Sequence, residues 1–134
     1  MRVVLDTNVL VSGLLKSHGP PGRILEFMVA DVFVVLYDHR IVSEYLEVLA
    51  RPAFGFHTFE VDRILEYIIR DGEQVTAGVL DVWLPDSTDL PFLEVAAAGQ
   101  ADALITGNIR DFKPTRGRHS VNVCSPADFL RQLP

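Results

Sequence analysis

Short continuous apolar runs alternate along the chain with stretches whose apolar residues recur every three or four positions, the pattern of buried parallel strands separated by helices. Arg2 to Leu5 reads as a first, β-branched strand, and "VFVVLY" as a second. "VLVSGLL" supplies a short helical segment, and after the loop "SHGPPG" a helix carries Ile24, Leu25, Met28 and Val29 on one face. A helix from about Arg40 ends before Pro52, with Val42, Tyr45, Leu46 and Leu49 facing inward. "FEVDRILEYIIRDG" puts Val61, Ile64, Leu65, Ile68 and Ile69 at helical spacing and stops at Gly72, a face that serves a core or a homodimer equally well. "VLDVWL" reads as a short extended segment, "PDSTD" as a loop, and Pro91 fits the first turn of a helix running to about Gly99. "DALIT" is a strand, "GNIRDFKPTRGRHS" a loop and "VNV" a last strand, before Ser125, Pro126 and Asp128 open a final helix.

Strands alternating with helices imply parallel pairing through right-handed crossovers, so the expected fold is α/β, a central parallel sheet covered by helices on both faces. Ligands of such sheets bind at the carboxyl ends of the strands. Asp6, Asp38, Thr106 and Asn108 all fall at or just past such ends.

The length of 134 residues suits one domain over 1–134, and 49% hydrophobic with 22% charged residues is the composition of a folded chain. No apolar run approaches the ~18 residues of a membrane span, and Asp6 interrupts the place where a signal peptide needs its apolar centre. A cytoplasmic protein with no membrane partner is therefore expected. Cys124 is the single cysteine, which excludes an internal disulfide and suggests a small core residue at a strand end, and with the histidines scattered there is no zinc-ligand spacing either. A net charge of −6 argues against holding nucleic acid on a broad basic surface. Arg110, Lys113, Arg116, Arg118 and His119 nevertheless gather in one segment, either a solvated loop or a rim that contacts phosphate.

Acidic residues, or their amide, recur near the expected carboxyl edge: Asp6, Glu44 and Glu47, Asp86 and Asp89, and Asn108. Of the two glutamates Glu44 is nearer the helix start and hence the edge. Asp6 and Asp89 each have a plainer explanation, since an acid before a helix caps it or complements its dipole. As a group they are harder to dismiss, because two carboxylates ~4 Å apart repel by roughly 4 kcal/mol at an effective dielectric near 20. A cluster needs a cation or a proton to compensate it. Oxygen-only donors suit Mg²⁺ or Mn²⁺, which would polarise a phosphoryl oxygen, activate water for in-line attack and attract a nucleic-acid backbone despite the net charge.

At "VLDTNVLVSGL", "VSEYLEVLARPAF", "DLPFLEVAAAGQADALITGN" and the "DF" that follows, the sequence resembles the PIN-domain family, named for the N-terminal domain of PilT, and within it VapC-like toxins of toxin–antitoxin pairs. The resemblance covers nearly the whole chain. It implies a three-layer α/β/α sandwich with a parallel sheet, related to the fold of flap nucleases, and Mg²⁺- or Mn²⁺-dependent ribonuclease activity. It also implies an RNA substrate, an antitoxin partner whose tail enters the acidic groove, and a homodimer. Carried over by position, the acids are Asp6, Glu44 and Asp89, and the strand-end residue is Asn108, where many relatives have aspartate. An amide there offers a carbonyl oxygen without charge, so Asp86 or Asp111 is expected to assist. Thr7 and Thr106 are placed to hydrogen-bond carboxylates, and Gly107 to let the backbone approach the site. Two other readings stand beside this one. An aspartyl-phosphate phosphatase would need a second acid where Asn8 stands. An RNA- or partner-binding module without cleavage would account for Asn108 and the acidic charge.

Overall fold

The computed structural model describes residues 1–115 and 121–133. Among them, β1 (Arg2–Leu5), β2 (Val34–Tyr37), β3 (Glu73–Gln74), β4 (Ala103–Ile105) and β5 (Val123–Cys124) form a parallel sheet in the order β3-β2-β1-β4-β5. The helices are α1 (Thr7–Leu15), α2 (Pro20–Val29), α3 (His39–Leu49), α4 (Thr58–Asp71), α5 (Leu90–Ala98) and α6 (Pro126–Gln132).

Consecutive residues Val3, Val4 and Leu5 are all fully buried, as are Ala103, Leu104 and Ile105 opposite them. Neighbouring strand residues point to opposite faces, so helices must cover both sides, and the result is the expected three-layer sandwich. α2 packs on α1 and α6, while α3 packs on α4 and α5, and α5 also lies against β1, β2 and β4.

The inward stripe of each helix is narrower than its apolar pattern. On α3 the buried residues are Ile41, Tyr45 and Leu49, whereas Leu46 is half exposed, and Val29 on α2 and Ile69 on α4 repeat this. One step along a helix turns a side chain by about 100°, which carries these flanking residues out of the seam that Ile41, Tyr45 and Leu49 keep by four-residue spacing.

Three local expectations need correction. The sheet takes an unexpected edge strand at Glu73–Gln74, directly after Gly72, and the Val75 amide extends that pairing to the Tyr37 carbonyl at 2.8 Å. An edge strand held by main-chain bonds needs no apolar signature. The loop after β4 contains a 3-10 turn, Ile109–Thr115, because Phe112 is fully buried and pulls the chain back. Val32 and Phe33 precede β2, with Phe33 stacked edge-on against Phe129 of α6.

Cys124 is a buried core residue of β5 whose thiol burial pushes up to about 11. Of the basic cluster, Arg110 and Lys113 are exposed, and Arg116, Arg118 and His119 lie outside the described residues. No helix among the described residues is long and apolar enough to cross a membrane.

From β1 the chain winds outward through β2 and β3, then returns to the other side of β1 as β4. That reversal puts a topological switch point between β1 and β4, and the crevice outside their carboxyl ends is where open α/β sheets bind ligands.

Candidate active site

At the switch point the ends of β1 and β4 are stitched together. The Asp6 amide donates to the Ile105 carbonyl at 2.9 Å, and the Thr106 hydroxyl donates to Asp6 Oδ2 at 2.8 Å. Asn8 Nδ2 donates to the same oxygen at 3.2 Å, while Asn8 Oδ1 accepts the Gly107 amide at 2.9 Å. A Cβ at position 107 would meet that Asn8 oxygen at 3.3 Å, so a side chain would press on the clamp that a glycine admits. Thr106 Oγ1 also accepts the Asn108 amide at 3.0 Å.

Capping separates the acids into two kinds. Asp38 accepts the Ile41 amide, Asp86 the Thr88 amide and Ser125 the Asp128 amide, each closing the turn that follows it. Asp6 and Asp89 occupy the same position before α1 and α5, yet neither makes a side-chain cap bond. Both are buried, and Asp89 Oδ2 has no hydrogen-bond partner among the described residues. Helix capping therefore does not account for these two carboxylates.

Glu44 joins them from α3, where its Oε2 accepts the Thr7 hydroxyl. Glu47, one turn on, is exposed and ion-paired with Arg51 at 3.0 Å. Asp86 is exposed, with Oδ1 engaged by the Thr88 amide at 2.9 Å and hydroxyl at 2.7 Å. Asn108 is exposed too, and its amide donates to Asp111 Oδ2 at 2.9 Å. The 3-10 turn brings Asp111 back beside the strand it follows. Arg40 spends its charge elsewhere, on Asp38 and Glu94, each at 2.8 Å.

The carboxylates sense one another. Burial pushes Asp6 up to about 6; the charges of Glu44 and Asp111 add to this, and the Thr106 hydroxyl and nearby Thr7 amide pull the other way. Asp89 is pushed up to about 7, first by burial and then by Asp6, Asp86, Asp111 and Glu44. Asp86 is held below the usual range by its bonds to Thr88. Asp6, Glu44, Asp89 and Asp111 thus share one field, to which Asp86 contributes from the rim. As they stand, no three acidic, histidine or cysteine side chains among the described residues are gathered closely enough to hold a metal ion. The site is an electrostatic basin that favours a cation or a proton, and it is not a closed cage.

The molecule is thus an open parallel α/β sandwich with uncapped buried acids at its switch point. It belongs to the PIN domain family, whose model matches residues 2–110, a span that holds Asp6, Glu44, Asp86, Asp89 and Asn108 and stops just short of Asp111. Among solved structures it is similar to a chain of the crystal structure of VapBC2 from Rickettsia felis bound to a DNA fragment from their promoter. That match has a TM-score of 0.59 and 15% identity, and covers 93% of this chain and 98% of that one, a likeness of fold. No curated protein matches the sequence.

Proposed function

We propose that the protein is a divalent-cation-dependent endoribonuclease that hydrolyses RNA phosphodiester bonds, the toxin of a toxin–antitoxin pair working as one PIN-like domain in the cytoplasm. The observation that carries this reading is Asp89 Oδ2, a buried carboxylate oxygen among like charges with no donor among the described residues. Leaving such an atom unpaired costs about 1–3 kcal/mol, and a cation repays it. The donor set fits Mg²⁺ or Mn²⁺, which take oxygen ligands, keep several waters and use one or two carboxylates together with substrate phosphates. Acids gathered at one edge without forming a cage suit that habit.

In this reading Asp6, Glu44 and Asp89 hold the cation, Asp111 stands at the fourth corner with Asn108 orienting it, and Asp86 adds charge from the rim. When bound, the cation supplies Lewis-acid polarisation of the phosphoryl oxygen and lowers the pKa of the attacking water. The chain supplies preorganisation. Thr106 and Asn8 fix one oxygen of Asp6, and Thr7 fixes one oxygen of Glu44. Asp111 supplies the charge that Asn108 lacks, which weakens the case for a binding module without cleavage. The amide of Asn8 faces Asp6 where an aspartyl-phosphate enzyme would need an acid.

The structural neighbour is described as a VapBC2 complex, which supports an antitoxin as partner. An open groove of about 650 Å³ beside α1, α2 and α4, lined by Leu25, Val29, Phe59 and Ile64 together with the charged Glu26, Glu60, Arg63 and Arg70, offers a helix from such a partner both apolar and ionic contacts.

Labelled RNA should be cut in Mn²⁺ and left intact in excess EDTA. Cleavage that persists in EDTA would overturn the cation-dependent reading, and RNA binding without cleavage at any divalent cation would favour the binding module. Within the site, Asp111→Asn is expected to lower cleavage by about 10–100-fold and Asn108→Ala by less, in single-turnover assays. Asn108→Asp should bind Mn²⁺ equally or more tightly by calorimetry; weaker binding would mean that position 108 serves only to orient Asp111.

A further inference from the structure

Tyr45 lies on α3 next to Glu44 and is fully buried, with its ring tilted against Phe92 of α5 at a centroid distance of 6.2 Å. By sequence it is one core residue among several. Its hydroxyl, however, donates to the Leu5 carbonyl at 2.5 Å, the last carbonyl of β1. One residue earlier, Glu44 Oε2 accepts the Thr7 hydroxyl. Successive residues of α3 therefore grip positions 5 and 7, one on each side of Asp6.

We infer that Tyr45 is a positioning residue of the acidic site: together with the Thr7–Glu44 bond it clasps α3 to the β1–α1 junction and sets the spacing between Asp6 and Glu44. The inference rests on the cation-dependent reading above. Two like charges tend to drift apart, and a donor fixed to the backbone between them opposes that drift without adding a ligand. Sites of this kind need their groups held within about 0.5 Å of the productive geometry, and outer partners do this holding.

The test compares two tyrosine–carbonyl bonds. Tyr37 is also buried, and its hydroxyl donates to the Ile69 carbonyl at 3.0 Å, tying β2 to α4 instead. Mn²⁺ affinity of the full chain, stripped of metal, is read by electron paramagnetic resonance of free Mn²⁺, beside thermal unfolding of each variant. Tyr45→Phe should weaken Mn²⁺ binding by about 10-fold, whereas Tyr37→Phe should stay within about twofold of wild type at a comparable loss of Tm. Thr7→Val should behave like Tyr45→Phe, and Thr7→Ser, which keeps the hydroxyl, should restore binding. If Tyr45→Phe fails to fold, the Thr7 pair decides, and equal binding by Thr7→Val and Thr7→Ser overturns the clasp. Wild-type protein that binds Mn²⁺ with Tyr45→Phe unchanged also overturns it. Wild-type protein that binds no Mn²⁺ removes the cation-dependent reading and the clasp with it.

Discussion

Asp6→Asn is expected to lower RNA cleavage by about 10³-fold while leaving the fold intact. The geometry makes this substitution unusually clean. Thr106 Oγ1 and Asn8 Nδ2 both converge on one oxygen of Asp6, so an amide oxygen in that place keeps both of these bonds while the charge is lost. A cation worth several kcal/mol of charge stabilisation in the transition state corresponds to roughly three decades of rate, and the variant forfeits much of that by weakening the site that holds it. Its metal-free form should melt no lower than wild type, because Asp6 raises the cost of ionising Asp89 through like-charge repulsion. Single-turnover cleavage beside a melting curve checks both halves. Equal cleavage by the variant would point to a contaminating nuclease and sink the assignment; cleavage lost together with a collapse of the melting transition would leave Asp6 a fold residue instead.

The alternation of apolar runs and helical periodicities made the sandwich legible, because strands such as Val3–Leu5 and Ala103–Ile105 are buried on both faces and must be apolar throughout. β3 was not legible. Two polar residues, Glu73 and Gln74, pair with β2 through their main chain, and nothing in their side chains advertises it. The nearby apolar run 79–84 joins no strand: Val79 and Trp83 are exposed and only Leu84 is buried. At the site, Asp6 and Asp89 stood out by position, but an acid ahead of a helix looks the same whether it caps or not. Only the contrast with Asp38, Asp86 and Ser125, which do cap, separates them. Asp111 was expected only as an assistant beside Asp86, because the turn that carries it reads as open loop in the sequence. Tyr45 was hidden by its own burial, since a core periodicity records where a ring goes and says nothing of its hydroxyl.

The metal-free protein should lose stability as pH rises from 5 to 8, opposite to the usual behaviour of paired carboxylates. Asp6 moves from the ordinary 3.8 up to about 6 and Asp89 from 3.8 up to about 7, so between those values the folded state binds more protons than the unfolded one. Stability then falls with pH across that interval and levels off once both groups are ionised in either state. A two-unit shift is worth about 3 kcal/mol; the two acids share neighbours and do not add fully, so a loss of about 2–3 kcal/mol, or ~10 °C in Tm, is expected. Asp86, shifted the other way, acts below pH 4 and stays outside this window. Mn²⁺ should cancel the trend, because a cation competes with protons for the same oxygens: its stabilisation should be small at pH 5 and about 2–3 kcal/mol at pH 8 with cation near a hundredfold above Kd. Asp89→Asn should flatten the metal-free curve. A Tm that stays level or rises from pH 5 to 8 would mean that these acids are not destabilised by burial and mutual repulsion. An equal Mn²⁺ effect at both pH values would place the cation on other groups, since only the competition for Asp6 and Asp89 makes proton release and cation uptake one event.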